Sequence, residues 1–367
     1  MKVIVVAGAR PNFMKVAPIL RTLRERGHAP VFVHTGQHYD EAMSAVFLRE
    51  LEIDTPDYHL GVGSGSHAAQ TARIMESFDP VLEAVRPDWN VVVGDVNSTL
   101  AVALVVSKRR HELGTRLAHV EAGLRSGDWA MPEEVNRVVT DRLSDLLLTP
   151  SRDVVDNLRA EGLWSDRCQF VGNVMIDSLL TSLPRARAAA PAFARHPARP
   201  YVLATLHRPS NVDDPERLAG ILQAFEHLSH DLDVILPIHP RTRARLTTFG
   251  LDALLDRLTV MAPLSYLEMV AATDAASVVV TDSGGLQEET TVLGVPCVTL
   301  RAQTERPVTV TEGTNRLVPW PPTSDGVVAS VRDALARGRR GVGEAAPEGW
   351  DGAASQRIVR ALEEAMP

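Results

Sequence analysis

Thr281-Asp282-Ser283-Gly284-Gly285-Leu286-Gln287-Glu288-Glu289 is the stretch that decides the fold prediction. An apolar run at 276–280 precedes it and is typical of a buried parallel strand. The residues after it continue a short helix that Gly294 and Pro296 end. The first-turn N–H groups of such a helix are free, and its dipole favours negative charge. The sequence therefore predicts an anion site at this strand–turn–helix junction.

The individual residues of this junction suit a nucleotide. Gly284 and Gly285 let a phosphate approach the backbone closely. Ser283 can add a hydroxyl donor, and Glu289 lies about one and a half turns into the helix, where its carboxylate could bind two ribose hydroxyls. The alternative interpretation is an ordinary glycine turn with an N-cap serine and a solvated glutamate. The stretch by itself favours neither interpretation.

Length and composition restrict the class of protein. A chain of 367 residues is long for one core and is expected to form two domains. Its content of 45% hydrophobic and 23% charged residues indicates an ordinary globular protein. A net charge of −8 gives no reason to expect nucleic acid or an anionic membrane as a partner. Cys168 and Cys297 match no metal or redox spacing, so two buried thiols are expected.

The sequence also bears on location. It shows no charged-then-apolar leader with a cleavage site and no apolar run of about 18 residues. We therefore expect a cytoplasmic protein.

Strand and helix patterns alternate along the chain, which predicts the α/β class with doubly wound parallel sheets. The predicted strands are 2–6, 31–35, 89–93, 116–120, 201–205, 234–238, 258–261, 277–280 and 297–300. The predicted helices include 10–26, 67–85, 98–108, 133–146, 215–228, 241–248, 266–272, 284–293, 326–336 and 353–364.

A stretch rich in proline, alanine and arginine at 184–200 interrupts this alternation and is interpreted as a linker. It separates a first domain at 1–183 from a second at 201–349, and a last helix at 350–367 is expected to pack back on the first domain. Ligands of open α/β sheets bind outside the carboxyl ends of the strands. The sequence therefore predicts a site in the cleft between the domains.

The first strand–helix turn carries cations in place of the dinucleotide fingerprint. That fingerprint needs three spaced glycines, and only Gly8 is present. Arg10 and Lys15 oppose the helix dipole unless an anion lies between them and the helix. The alternative is two exposed cations on a loop.

Three acidic residues lie at consecutive strand–helix junctions of the first domain. Asp95 ends one strand, Glu121 follows the next, and Glu133 begins a helix beside Glu134. Each has an ordinary explanation as a helix cap or dipole complement. Together they are expected to converge on one edge of the sheet, where carboxylates can act as general acids and bases.

The second domain offers a histidine and a polar loop. His207 follows the strand at 201–205, so it is expected at the same edge as the anion site. His239 follows the strand at 234–238 in the same way, but the case for a functional role is weaker. The polar loop at 304–316 carries Arg306 and Arg316 and is expected to border the same cleft.

These features resemble the non-hydrolysing UDP-N-acetylglucosamine 2-epimerases. The matching segments follow one another along essentially the whole chain: GARPNFMK (8–15), GDVNSTLA (94–101), HVEAGLR (119–125), MPEEVNR (131–137), GNVMID (172–177), HR (207–208), DSGGLQEE (282–289) and TERP (304–307).

The resemblance implies two Rossmann-like domains in the GT-B arrangement, a homodimer, and neither metal nor nicotinamide. It assigns catalytic positions to Asp95, Glu121, Glu133 and His207. It implies nucleotide-sugar contacts by Arg10, Lys15, Arg137, Ser283, Gly284, Gly285, Glu289, Arg306 and Arg316. Many bacterial members sense a second substrate molecule through a Gln-His-x-Gln pattern. Here Gln37 and His38 are present but Asp40 replaces the second glutamine, which puts control by the substrate in doubt.

The implied reaction interconverts UDP-N-acetylglucosamine (UDP-GlcNAc) and UDP-N-acetylmannosamine (UDP-ManNAc) through elimination and re-addition of UDP, for cell-surface polysaccharide synthesis. Four alternatives stay open: epimerisation of a modified UDP-2-acetamido sugar, glycosyl transfer on the same architecture, hydrolysis to the free sugar, and a silent nucleotide-sugar sensor. The missing fingerprint disfavours an NAD-dependent epimerase.

Overall fold

The computed structural model describes residues 1–37, 41–195 and 199–366. The chain divides into two compact units, one formed by residues 1–181 and 348–367 and the other by residues 182–347. Each unit has its own parallel sheet, so the predicted α/β class with two Rossmann-like domains is confirmed.

The first unit contains a seven-stranded parallel sheet with the order β3-β2-β1-β4-β5-β6-β7. The strand order reverses between β1 and β4, which makes their carboxyl ends the switch point where ligands of such sheets bind. The strands are β1 (Lys2–Ala7), β2 (Ala29–His34), β3 (Tyr58–His59), β4 (Trp89–Val93), β5 (Arg116–Val120), β6 (Leu146–Thr149) and β7 (Cys168–Phe170).

Helices connect these strands, because parallel neighbours need a crossover. They are α1 (Arg10–Glu25), α2 (Glu41–Glu50), α3 (His67–Val85), α4 (Asn97–Leu113), α5 (Pro132–Leu143), α6 (Val154–Ala160) and α7 (Val174–Ala188). Burial of Ile4 and Val6 against Phe78, Leu82 and Val102 packs α3 and α4 on one face of the sheet.

The second unit repeats the pattern with a six-stranded parallel sheet of order β10-β9-β8-β11-β12-β13. Its strands are β8 (Tyr201–Thr205), β9 (Asp233–Pro237), β10 (Thr259–Met261), β11 (Val278–Thr281), β12 (Cys297–Thr299) and β13 (Asn315–Leu317). Its helices are α8 (Ala192–Arg195), α9 (Pro209–Val212), α10 (Pro215–Leu228), α11 (Pro240–Phe249), α12 (Tyr266–Ala275), α13 (Gly284–Leu293), α14 (Val308–Thr311) and α15 (Ser324–Arg337), with a 3-10 turn at Asp252–Leu255.

Several expectations differ from the structure, and strands β3, β6, β7 and β13 were not predicted. The helix predicted at 133–146 ends at Leu143, and Leu146 begins strand β6. No glycine or proline marks this boundary; its signal is the polar pair Ser144-Asp145, and Ser144 has extended backbone angles. The linker expected from residue 184 is also partly helical, since α7 continues to Ala188 with Pro184 inside it. Burial of Ala186 holds that last turn.

The last helix, α16 (Ala354–Glu364), belongs to the first unit, where it packs against α1. Its N-terminus is capped from a distance: the Asp177 carboxylate accepts the Ala354 N–H at 3.0 Å and the Ser355 N–H at 2.7 Å. Two free N–H groups of the first turn are thereby satisfied. No helix in the described part of the chain is both long and apolar enough to cross a bilayer.

This cap gives a stability prediction. Asp177→Ala should lower the free energy of unfolding by about 1–2 kcal/mol, because it removes both acceptors from the helix start. Asp177→Asn keeps one acceptor oxygen and should cost less. Urea unfolding followed by circular dichroism measures both, with the exposed Asp156→Ala as a control. Equal stability of the Ala variant and the wild type would contradict the capping role.

Candidate active site

The carboxyl edge of the first sheet is closely packed at Gly8. A Cβ atom on Gly8 would lie 2.1 Å from the Ser98 hydroxyl oxygen, so only glycine fits between the β1–α1 turn and the start of α4. The Ser98 hydroxyl forms hydrogen bonds with the side-chain oxygen of Gln37 at 2.9 Å and with the Thr35 hydroxyl at 2.8 Å. The turn expected to hold an anion is therefore fixed against its neighbour. Residues 38–40, where the sequence departs from the Gln-His-x-Gln pattern, lie outside the described part of the chain.

Glu121 has the most unusual environment in this edge. It is 4% exposed and its backbone has φ = 71°, a left-handed conformation that costs a non-glycine residue free energy. One carboxylate oxygen forms an ion pair with the buried Lys15 ammonium from α1. The other oxygen, Oε1, is buried and has no hydrogen-bond partner among the described residues. A strained backbone thus presents a carboxylate with one oxygen still able to accept a proton.

Asp95 is held by Arg137. The guanidinium donates from Nε at 3.0 Å and from Nη2 at 2.6 Å to the same Asp95 oxygen. Asn136 donates to the Asp95 carbonyl at 2.8 Å. Arg137, expected to contact substrate, is 3% exposed and also donates to Glu134 at 2.6 Å. Its charge therefore orients carboxylates of the protein.

Glu134 connects this arginine to the loop before α5. Its carboxylate accepts the N–H groups of Ser126 and Gly127 at 2.8–3.1 Å. Burial alone would raise the pKa of Glu134, but these backbone donors and Arg137 hold it below its ordinary value. Glu133, the expected catalytic neighbour, is half-buried, and its side chain makes no hydrogen bond or ion pair within the described residues. Arg10 begins α1, and its side chain lies outside what the structure describes.

In the second unit, Asp282 organises the carboxyl end of β11. It accepts the backbone N–H groups of His207 and Arg208 at 3.1 and 2.9 Å, and the amide of Asn211 at 3.1 Å. The His207 ring lies 2.8 Å from its other oxygen and remains 39% exposed. Burial alone would raise the pKa of Asp282, but His207 and these donors hold it below its ordinary range. His207 is thereby oriented with one ring nitrogen bound and much of the ring accessible.

The N-terminus of α13 has the features of an anion site. Ser283 is its N-cap residue but makes no side-chain capping bond, so its hydroxyl is not committed to the helix. Gly284 and Gly285 form the first turn, and a Cβ on Gly284 would lie 3.0 Å from Nη1 of Arg306. The guanidinium therefore lies directly against the helix start, and any larger residue here would have to displace it slightly.

Acidic partners hold Arg306 in that place. Its Nε lies 2.6 Å from Glu288, and its Nη1 lies 3.3 Å from Glu305. Burial alone would raise the pKa of Glu305, but Arg306 and Arg301 lower it to about 2. The N-terminus of α13 thus has a fixed cation, Arg306, beside it.

Glu289 lies further along α13 and is buried. Burial, and secondly the neighbouring Glu288, raise the pKa of Glu289 to about 8. Its carboxyl group is therefore mostly protonated at neutral pH and can both donate and accept a hydrogen bond.

Arg316 does not lie with these residues. It is exposed on β13 and lines a separate cavity of about 260 Å³ with Pro296, Thr314 and Arg337. Pro296 and Thr314 directly precede β12 and β13, so this cavity is at the amino edge of the sheet. The anion site follows the carboxyl end of β11. The sequence analysis placed Arg316 in a polar loop at 304–316, whereas it lies on β13 and lines a cavity at the amino edge of the sheet.

Several residues of the site received no role from the sequence. They are His119, Asp141, Asp282, Glu288 and Glu305. A polar residue inside an apolar strand is a signal that could have identified His119. The described residues contain no group of three or more His, Cys, Asp or Glu side chains arranged to hold a metal ion.

The environment of Glu289 makes stability depend on pH. Its pKa is about 8 in the folded chain and near 4.3 when unfolded, so the folded state binds the proton more tightly and loses stability as pH rises from about 4.3 through 8. Glu289→Gln cannot ionise. Its stability relative to the wild type should rise by about 1 kcal/mol per pH unit between pH 5 and 8. Urea unfolding at several pH values measures this difference. The exposed Glu312→Gln should run parallel to the wild type, and parallel behaviour of Glu289→Gln would contradict the prediction.

Comparison with known proteins identifies the family. The family model for UDP-N-acetylglucosamine 2-epimerase matches residues 21–363. A UDP-N-acetylglucosamine 2-epimerase homolog from Methanococcus maripaludis is 44% identical over 324 residues, covering 87% of this chain and 88% of that protein. A UDP-2,3-diacetamido-2,3-dideoxy-D-glucuronate 2-epimerase from Pseudomonas aeruginosa is 40% identical, covering 92% and 93%.

A solved structure agrees with these relatives. The crystal structure of Methanocaldococcus jannaschii UDP-GlcNAc 2-epimerase in complex with UDP-GlcNAc and UDP superimposes with a TM-score of 0.87 at 39% identity, covering 99% of this chain and all of that one. The likeness extends over both units. The chain belongs to the UDP-N-acetylglucosamine 2-epimerase family of isomerases.

Proposed function

We propose that the protein interconverts UDP-GlcNAc and UDP-ManNAc by inverting C2 of the sugar. The observation that carries this proposal is Glu121, a buried carboxylate with one oxygen unpartnered within the described residues, on a strained backbone. Strained backbone conformations cluster at active sites, and this one, unlike that of the exposed Glu52, holds a buried carboxylate. Family membership supplies the substrate class.

The chemistry explains why carboxylates and an anion site are both needed. The C2 hydrogen has no adjacent carbonyl, so its direct removal is very slow. Elimination solves this: the C2–H bond breaks, its electron pair forms the C1–C2 double bond, and UDP departs with the C1–O electrons. The intermediate is a 2-acetamidoglucal. Re-addition of UDP at C1 with protonation of the opposite face at C2 gives the epimer.

The first unit supplies the proton transfers in this proposal. Glu121 and Asp95 act around C2, one removing the proton and the other returning it from the opposite face, and Glu133 assists at the same centre. Lys15 compensates the charge of Glu121. Arg137 fixes the orientation of Asp95. Fixed charges stabilise developing charge without reorganisation in the transition state.

The second unit holds the departing diphosphate. The N-terminus of α13, with Ser283, Gly284, Gly285 and Arg306, offers N–H donors and a cation to phosphate oxygens. His207 contacts the diphosphate through its exposed nitrogen, and Glu289 binds the ribose hydroxyls. Arg10 is expected to add a cation from the β1–α1 turn.

The substrate could carry further substituents. The P. aeruginosa relative, named for a diacetamido uronate, covers more of this chain than the M. maripaludis relative does. Its reaction inverts the same centre, so the same carboxylates serve both substrates. UDP-2,3-diacetamido-2,3-dideoxy-D-glucuronate is therefore the second candidate. Glycosyl transfer gives no reason for the buried acids of the first unit.

Assembly and cellular role belong to the same proposal. We expect a cytoplasmic homodimer that supplies cell-surface polysaccharide synthesis. A surface cavity of about 400 Å³ on the first unit is lined by Met75, Leu100 and Val135, and Val135 is 36% exposed. An apolar face of this kind suits contact with a second copy, and light scattering on the purified protein would test it.

Isotope exchange tests the reaction. Incubation with UDP-GlcNAc in heavy water should place deuterium at C2 of both epimers, because the proton returned comes from solvent. NMR of the products detects it, and a panel including the diacetamido uronate identifies the preferred substrate. A transferase would leave C2 unlabelled, and release of free sugar with UDP would indicate hydrolysis.

Substitution of Asp95 tests the assignment of roles. Asp95→Asn should lower turnover by roughly 1,000-fold or more while the affinity for UDP stays within a few-fold, because the amide cannot transfer the proton. Glu121→Gln should behave in the same way. The exposed Asp156→Asn is the matched control. A large loss of UDP affinity in Asp95→Asn would make Asp95 a structural residue.

A further inference from the structure

We infer that His119 is a buried imidazolium cation that positions the Gly94–Asp95 turn. His119 lies on β5 and is fully buried. Its Nδ1 is 2.6 Å from the Asp141 carboxylate, and its Nε2 is 2.8 Å from the Gly94 carbonyl oxygen. A carbonyl oxygen can only accept a hydrogen bond, and an ionised carboxylate can only accept. Both ring nitrogens therefore donate, which requires the doubly protonated, positively charged ring.

The alternative is that the shared proton belongs to Asp141, whose carboxyl group would then be neutral and His119 uncharged. Its second oxygen accepts the Gly123 N–H at 3.0 Å and lies 2.8 Å from the Arg125 guanidinium. Burial alone would raise the pKa of Asp141, but His119, Arg125 and the Gly123 N–H hold it below its ordinary value. Three donors converge on this carboxylate, which is the environment of an anion.

A charge on His119 also improves the charge balance of the edge. The carboxylates at or beside this edge are Asp95, Glu121, Glu134, Asp141 and Glu161. The permanent cations paired with them are Lys15, Arg125 and Arg137. Glu161 is exposed, so a neutral His119 would leave the other four acids facing three cations, whereas a charged one makes four cations. Buried carboxylates without compensation are costly.

The bond to Gly94 connects this cation to the candidate catalytic residues. Gly94 has φ = +66°, its N–H donates to the Val120 carbonyl at 3.1 Å, and His119 holds its C=O. Asp95 is the next residue. A Cβ on Gly94 would lie 3.0 Å from Lys15 Nζ and 3.3 Å from Glu121 Oε2. His119 is thus a positioning residue: it fixes the peptide on which Asp95 sits, beside the Lys15–Glu121 pair.

The protonation state is tested without any assumption about function. In protein carrying ¹⁵N-labelled histidine, the two nitrogens of His119 should both show the shifts of protonated imidazolium at pH 7.5. The His119 signals are identified among the 12 histidines by their absence from the spectrum of His119→Gln. If the His119→Gln variant does not fold, Asp141→Asn takes its place in the experiment. Loss of the carboxylate charge should convert the His119 ring to the neutral form. One unprotonated nitrogen in the wild type overturns the inference.

The positioning role rests on the proposed function and needs kinetics. His119→Gln places an amide donor near the Nε2 position and keeps the bond to Gly94, whereas His119→Asn places its donor near Nδ1 and keeps only the bond to Asp141. The Asn variant should lose roughly 100-fold in kcat and the Gln variant about tenfold, with KM and UDP affinity within threefold of the wild type. Equal losses of kcat in the two variants, or a loss confined to KM, would overturn it. If the wild type epimerises no UDP-sugar, the proposed function fails, while the NMR result still stands.

Discussion

The ion pair between Lys15 and Glu121 is the contact on which the candidate site depends. It joins helix α1 to the end of β5 across the carboxyl end of β4, and both side chains are buried. Removing one partner of such a pair leaves an uncompensated charge and costs several kcal/mol, so the pair also fixes how the neighbouring turns pack. The left-handed backbone of Glu121 is tolerable only because this packing enforces it.

Other charged side chains are also held by partners of opposite charge. Asp95 and Glu134 share Arg137, and Asp141 lies between His119 and Arg125. In the second unit Arg306 lies between Glu288 and Glu305. Each of these charged side chains has a buried partner of opposite charge. Such a network fixes the orientation of the side chains, which the proposed return of the leaving group to the same carbon would require.

Much of this could be predicted from sequence, and the exceptions have physical causes. Strand and helix alternation gave both sheets, because apolar runs and helical periodicity are local signals. Convergence of Asp95 and Glu121 followed from the rule that carboxyl ends of parallel strands share an edge. Which atoms pair did not follow: Arg137 appeared as a substrate contact, yet it is buried between two acids. The edge reached by Arg316 depends on strand register and side-chain direction, which no motif encodes. Strand β6 was missed because only the polar pair Ser144-Asp145, with no glycine or proline, separates its leucines from helix α5.

The return of α16 to the first unit has a consequence for how the protein matures on the ribosome. Residues 348–367 complete a unit whose other 181 residues are synthesised first, while the second unit is one continuous segment. The middle of the chain can therefore fold autonomously before the beginning has received its final helix. Until translation ends, the surface of α1 that α16 covers stays open to solvent, and nascent chains are most exposed to aggregation and chaperone capture in that interval.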